Sequence, residues 1–367
     1  MKIVCSKADL MKGINIVNKA VPSKTTMTIL ECILIDASAG QIRFTANDME
    51  LGIETVVEGQ ILSRGIAALE ARLFSEIIRK LPDSDVTIES DEKMNTQITC
   101  EKAKFQIMGR VGEDFPGLPM IEKNAPVVLS QFTLKEVIRQ TIFSIAPNDT
   151  NKIMTGELFE INENELKVVS LDGHRISIRK IELKDNYESN KVIVPGKTLS
   201  EISKILSGET EDYVNIFFTQ NHIMFEFDQT IVVSRLIEGN YFRIDHMLSN
   251  DYETKVTINK REMLDCIDRA TLLIKEGDKK PIILSIDDVA MELKIDSQIG
   301  SMDEVIEIEK EGKDIMIGFN PRFLIDALRV IDDEKIDIYY VNPKAPCFIR
   351  NEDQSYVYLI LPVNFVV

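Results

Sequence analysis

Asp172 and His174, a carboxylate and an imidazole two residues apart, have the residue types of a general acid–base pair. Alternate residues of an extended strand share a face, so the two side chains would meet if this stretch were a strand. The chain offers little else for such chemistry: no P-loop, no G-x-G-x-x-G after a strand, and no matching nucleophile motif. None of the three histidines, His174, His222 and His246, has a second His or Cys at metal-ligand spacing, which argues against a transition-metal site. The five cysteines, Cys5, Cys32, Cys100, Cys266 and Cys347, form no C-x-x-C pair and are odd in number, so they read as reduced packing residues. A non-catalytic reading is therefore preferred to an enzyme using Asp172 and His174, and no catalytic residue, metal or cofactor is expected.

The elements that would position these residues follow from length and pattern. A chain of 367 residues exceeds one ordinary core and points to two or three domains. With 44% hydrophobic and 28% charged residues it has a globular profile. No stretch approaches the roughly 18 uncharged apolar residues of a membrane span, and MKIVCSKADL makes no leader, so a cytoplasmic location is expected.

A unit of roughly 125 residues recurs three times. Each copy opens with an amphipathic helix whose apolar residues fall at i, i+4 and i+7: Leu10, Ile14 and Val17; Leu134, Ile138 and Thr141; Met263, Ile267 and Ala270. Alternating strands and tight turns follow, as ILECILIDASAGQIRFTANDME, IMTGELFEINENELKVVSLDGHR and KPIILSIDDVAMELKIDSQ, with Asp48 and Asp172 in equivalent places. A second helix (ARLFSEIIRKL, GKTLSEISKIL, NPRFLIDALRVI) and further strands complete each copy. The two halves of a copy resemble each other, so the unit reads as a doubled βαβββ motif in an α+β plan with largely antiparallel sheet. Polar and Pro-marked connections divide the chain into 1–123, 124–249 and 250–367.

A formal charge of -17 sets the chain apart from a generic nucleic-acid binder, which is basic overall or carries a basic domain. Yet the helical windows 7–20, 71–81, 134–146, 196–206, 260–275 and 320–331 hold 16 Lys and Arg against 8 Asp and Glu, a local +8 that leaves -25 elsewhere. If those helices share one surface, it attracts phosphate while the remainder repels it. That scheme suits loose, sequence-independent contact with a duplex. For a single helix, charge patterning on an exposed face accounts for such an excess; for six together the functional reading is favoured.

Leu171-Asp172-Gly173-His174-Arg175-Ile176 resembles the T-D-G-H-R-L segment of bacterial sliding clamps. Met154-Thr155-Gly156 resembles that family's L-N-G, Val192 to Lys197 its V-I-V-P-R-K, and Leu361-Pro362-Val363 its M-P-M, while Asp114 to Leu118 and Gly318-Phe319-Asn320 are also typical. The resemblance spans essentially the whole chain. It implies a DNA clamp of three tandem domains, a head-to-tail homodimer whose ring carries helices inside and antiparallel sheets outside. It also implies duplex DNA, the polymerase III catalytic subunit, a clamp loader and repair proteins as partners, the proteins docking through short linear peptides.

Carried over residue by residue, the resemblance implies a peptide pocket of Met154, Leu171, Gly173, His174, Arg175, Ile176, Phe242, Met247, Leu359 and Leu361. Its second lobe would comprise Asn320, Phe323, Pro346, Pro362, Val363 and Asn364. Without that resemblance, Met154, Ile176, Met247 and Leu361 read as core. Gly173 would permit close backbone approach and Arg175 would offer donors to peptide carbonyls. Lys24, Arg72, Arg79, Lys80, Arg139, Lys152 and Lys197 are the expected phosphate contacts. Arg72, Ile77, Lys104 and Phe105 are expected to face Leu272, Leu273, Asp303, Glu304, Glu307 and Glu309 across the dimer interface.

The chain departs from the family pattern at Phe242, where Pro is usual, and at Asn364, where Arg is usual. It also departs at Leu69-Glu70-Ala71-Arg72 in place of V-P-A-R, at Gly196, and in running on through Phe365-Val366-Val367. A rival of another class, an acidic protein-binding scaffold that never encircles DNA, would differ in needing no ring.

Overall fold

The computed structural model describes residues 1–365 apart from 149, 276, 278 and 279, so Val366 and Val367 lie outside the described residues. Its helices are α1 (Lys7–Val17), α2 (Ala71–Lys80), α3 (Gln131–Thr141), α4 (Gly196–Ile202), α5 (Lys260–Thr271) and α6 (Pro321–Val330). All nine residues of the three apolar trios are buried.

Side-chain caps set several of the starts. Ser6 accepts from Asp9 N at α1, and Asn259 accepts from Arg261 N and Glu262 N at α5. Asn320 caps α6, with Pro321 at the first helical position. Glu70, where the family carries Pro, caps α2 by accepting from Arg72 N (3.1 Å) and Leu73 N (2.7 Å). Helix α3 starts three residues before the expected Leu134, because Ser130 Oγ accepts from Thr133 N at 3.0 Å. Helix α4 stops at Ile202, short of the expected 206, and its continuation is made of turns such as Ile205 N to Ile202 O at 2.9 Å.

The recorded strand pairings are antiparallel, and they verify the doubled motif. Strand Lys2–Ser6, before α1, joins the trio that follows α2 (Asp85–Ser90, Asn95–Cys100, Ala103–Met108). Strand Ile66–Glu70, before α2, joins the trio that follows α1 (Cys32–Asp36, Ile42–Asn47, Leu51–Val57). The same exchange recurs in the last third. There Thr254–Asn259 joins Lys335–Tyr340, Cys347–Arg350 and Tyr356–Ile360, while Ile315–Phe319 joins Ile282–Ile286, Ala290–Ser297 and Gly300–Glu307.

Compactness does not follow the repeats. The chain packs as two units, one of residues 1–133 with 201–236 and one of residues 134–200 with 237–367, which divide the middle repeat between them. Sheet continuity is the physical reason. In the first unit Thr230–Arg235 pairs with Leu51–Val57, and the hydroxyls of Thr55 and Thr230 meet at 2.8 Å in the interior. Leu118 and Ile121 of the connection after the first repeat cover Phe217, Met224 and Val233. In the second unit Arg175–Pro195 pairs with Tyr356–Ile360. There Arg350 donates to Ser249 O (3.1 Å) and Asn250 Oδ1 (2.7 Å), pinning the connection that precedes the last repeat.

The five cysteines are buried, and burial pushes the thiols of Cys5, Cys266 and Cys347 up to about 12. Among the described residues no cluster of His, Cys, Asp and Glu could hold a metal ion, and no helix is long and apolar enough to cross a membrane.

One buried group stands apart. Glu157, on strand Gly156–Leu171, is fully enclosed, and neither carboxylate oxygen has a hydrogen-bond partner. Desolvation holds its pKa well above the usual carboxylate range. Thr141 acts in the opposite direction but less strongly, and its hydroxyl donates to Val137 O at 2.7 Å. Because the folded chain keeps this proton where the unfolded chain releases it, the stability from Glu157 is complete below the unfolded pKa of about 4.3 and declines as pH rises above it. The decline is about 1.4 kcal/mol for each unit by which the folded pKa exceeds the unfolded one. Glu157→Gln should therefore raise Tm, by more at pH 8.5 than at pH 5.5. A thermal scan in which the difference shrinks with pH would contradict the assignment.

Candidate functional site: an apolar cleft beside a tight turn

The Asp172–His174 stretch is a turn, and this decides between the catalytic and structural readings. It joins strand Gly156–Leu171 to strand Arg175–Pro195, with Asp172 N bonded to Arg175 O (3.4 Å). Asp172 Oδ1 accepts from His174 N (3.0 Å) and Arg175 N (3.1 Å), as a side-chain-closed turn requires. Asp48 closes its own turn the same way, accepting from Glu50 N (3.0 Å) and Leu51 N (2.7 Å), so the two positions are structural equivalents. Gly173 takes φ +84° with open space where a side chain would begin. The residue is glycine for its backbone angle, and the expected close approach is not what requires it.

The remaining oxygen of Asp172 goes to Arg175 Nε at 3.0 Å. Arg175 also donates through Nη1 to Asp326 Oδ2 (2.6 Å) and through Nη2 to Phe143 O (2.5 Å). Its guanidinium lies 4.6 Å from the ring centre of Phe323 and 5.3 Å from that of Phe143. Three of its five N–H groups are thus spent inside the protein, which makes it a strut of the hairpin and leaves at most two as donors to a peptide carbonyl. The His174 ring stacks on Phe323 with centres 5.9 Å apart, and the Asp172 hydrogen bonds bypass the imidazole. Asp172 and His174 form no acid–base pair.

The turn forms one side of a cleft of about 500 Å³. Leu171, Gly173, His174, Arg175 and Ile176 come from the hairpin, Leu359 and Leu361 from the last strand and its exit, and Met154 from the short turn Lys152–Thr155. Phe242, Met247 and Pro346 complete it. Leu171, Ile176 and Leu359 are rooted in a core with Leu158, Tyr241, Ile244 and Phe348, while Met247 and Leu361 stay exposed. Phe242, which replaces the family's Pro, packs edge-on against Tyr241. A wall of Met, Leu, Ile and Phe accepts apolar side chains of varied shape.

All ten residues of the expected first lobe line this cleft, together with Pro346 of the second. Asn320, Phe323, Pro362, Val363 and Asn364 do not. Asn320 is occupied as the cap of α6, and Phe323 is held against His174 and Arg175. Val363 N bonds to Gly318 O at 2.8 Å, and Asn364 is exposed. The contributors that sequence reasoning missed are Asp326 and Phe143, the partners of Arg175.

Within the helix bounds, 13 Lys and Arg stand against 8 Asp and Glu, so the basic excess falls from +8 to +5. Lys24, Arg72, Lys80, Lys152 and Lys197 are exposed. Arg79 faces Glu76 at 3.7 Å, and Arg139 is bound by Glu136 (2.6 Å) and Asp332 (3.2 Å), so phosphate would have to displace carboxylates there. At Gly196, where the family has Arg, a Cβ would lie 2.2 Å from Ile145 Cδ1 and 3.0 Å from Thr155 O, so a side chain there would have to push the end of Ile145 aside.

Of the interface candidates, Phe105, Lys104, Arg72, Leu272, Asp303 and Glu307 are exposed. Ile77 is 6% exposed and belongs to the interior because α2 turns it inward. Leu273 packs against the core of its own repeat. Glu304 is neutralised by Arg269 (Nε 2.9 Å) and Glu309 by Lys335 (2.9 Å).

Doubled βαβββ units sharing continuous antiparallel sheets define the class as a DNA-clamp fold. Three consecutive family models match: the DNA polymerase III beta subunit N-terminal domain over residues 1–119, its central domain over 128–242, and its C-terminal domain over 246–364. The Beta sliding clamp of Staphylococcus aureus is 35% identical over 357 residues, 94% of each chain. A crystal structure of the Bacillus subtilis DNA polymerase sliding clamp superposes with a TM-score of 0.96 at 34% identity, covering both chains fully. A provisionally assigned DNA polymerase III beta subunit of Eubacterium rectale superposes at 0.97 with 68% identity, again over the whole of both chains. The chain belongs to the DNA polymerase III beta subunit family. Its function is that of a DNA sliding clamp in replication, in partnership with DNA and a DNA polymerase.

Proposed function

We propose that the chain closes head to tail with a second copy into a ring around duplex DNA, helices inward. On that ring it tethers the polymerase catalytic subunit, a clamp loader and repair enzymes through short peptides. It acts as a tether and not as a catalyst, in the cytoplasm, from three repeats divided near 123 and 249. The observation that carries the peptide reading is the apolar cleft, whose Met247 and Leu361 are exposed, ready for an apolar anchor.

Two open sheet edges favour the ring over an acidic scaffold. Ala103–Met108 ends the five-stranded sheet and carries exposed Phe105 and Met108, while Gly300–Glu307 ends the four-stranded sheet and carries exposed Val305. An unpaired edge is a template for another strand, and Lys104 on one edge complements Asp303 and Glu307 on the other. A tether of this kind needs only weak, sequence-independent DNA contacts, because a closed ring leaves a duplex only by opening or at an end.

Burying one Leu or Phe anchor is worth about 1.5–3 kcal/mol. Leu361→Ala should therefore weaken binding of a peptide ending in Leu-Phe by about tenfold, measured by calorimetry, with dimer state unchanged in sedimentation. Equal affinity of parent and variant would show that Leu361 takes no part in the binding surface.

A further inference from the structure

The chain leaves its last strand, Tyr356–Ile360, at Leu361, and the next residues are held at two points. Leu361 N donates to His174 O at 2.9 Å, and Val363 N donates to Gly318 O at 2.8 Å. His174 belongs to the turn beside the cleft. Gly318 lies in strand Ile315–Phe319 of the four-stranded sheet, within the same compact unit. Segment 361–365 thus spans from one sheet to the other, and its first residue is a wall of the cleft.

Gly318 is not glycine for its backbone, since its φ lies outside the left-handed region. Its neighbours Ile317 and Phe319 are fully buried, so position 318 faces the opposite side of the strand, where the segment crosses. A Cβ there would lie 2.7 Å from Phe365 Cδ1 and 3.0 Å from Val363 O. Ring and backbone press on the one spot that a side chain would fill.

We infer that Gly318 is a positioning residue for partner-peptide recognition: with Phe365 it moors segment 361–365 and thereby fixes the Leu361 wall. This rests on the reading of the cleft as a peptide site. Leu361 is 36% exposed, so packing alone does not hold it, and its placement depends on the two backbone hydrogen bonds that flank it. A methyl group at 318 displaces Val363 and Phe365 together, loosens the second hydrogen bond and lets the wall drift.

The experiment is a double-mutant cycle on the full chain with a fluorescent peptide ending in Leu-Phe, following Kd, Tm and dimer state. Gly318→Ala and Phe365→Ala should each weaken binding by about tenfold, and the double variant should be no weaker than the worse single, because both act through one mooring. Phe365→Leu should restore most of the affinity, which a general loss of stability would not allow. The control is Leu361→Ala. If it loses affinity while Gly318→Ala keeps the parent Kd, or if the two mooring variants add, the mooring is wrong and the peptide cleft stands. If Leu361→Ala and both mooring variants all bind as the parent does, the cleft reading and the mooring fall together.

Discussion

Arg175→Ala should cost about 3–5 kcal/mol and open the hairpin that carries the cleft, the largest effect expected of any single side chain here. The arginine side chain is 9% exposed, so solvent screens its ion pairs little. Removing it leaves Asp172 and Asp326, 14% and 22% exposed, without their cation. It also leaves the Phe143 carbonyl without its donor. Truncation strands two partly buried charges, which costs more than the pairs themselves contribute. Hydrogen exchange should report faster opening of strands Gly156–Leu171 and Arg175–Pro195, a lower Tm, and loss of peptide binding. Unaltered exchange in those strands would mean that the carboxylates find other partners and that the strut is dispensable.

A second large effect is expected where the ring is proposed to close. Phe105→Asp together with Leu272→Asp should turn a sedimenting dimer into a monomer. Each change replaces an apolar contact worth about 1.5–3 kcal/mol with a charge that must be desolvated, and a ring of two copies carries each change at both joints. The charges around them can be sorted by the structure. Asp303 and Glu307 are exposed, whereas Glu304 is bound to Arg269, so Asp303→Lys with Glu307→Lys should weaken the dimer more at low salt than at high salt. A Phe105→Asp, Leu272→Asp protein that still sediments as the parent dimer would move the joint elsewhere.

The repeats were legible because a half-buried helix and a half-buried hairpin write their periods into the chain. Leu10, Ile14 and Val17 are buried as their spacing requires, and so are their counterparts in α3 and α5. The equivalence of Asp48 and Asp172 was legible too, since a turn closed by an aspartate is a local device.

Long-range pairing was not. Nothing near residue 326 indicates that its carboxylate serves Arg175, 151 positions away; on an amphipathic helix it reads as a solvated charge. Glu157 misleads by the same logic. A carboxylate reads as a solvated group, but Gly156, Glu157, Leu158 and Phe159 are all buried, so both faces of the strand are covered there and no side of it offers Glu157 to water. The division into two compact units depends on strand Thr230–Arg235 meeting Leu51–Val57, a pairing that no local signal announces. The cleft residues came through resemblance and not through periodicity, because Met154, Ile176 and Leu361 satisfy a core pattern equally well.

The central claim, that the chain is a topological tether on DNA, is tested most directly by loading the protein onto nicked circular DNA with a clamp loader and passing the complex through a sizing column at high salt. The account predicts retention on the circle at salt concentrations that abolish phosphate contacts, and release as soon as a restriction enzyme linearises it. Loss from the intact circle as salt rises, or equal retention on circular and linear DNA, would mean that contact and not enclosure holds the protein there.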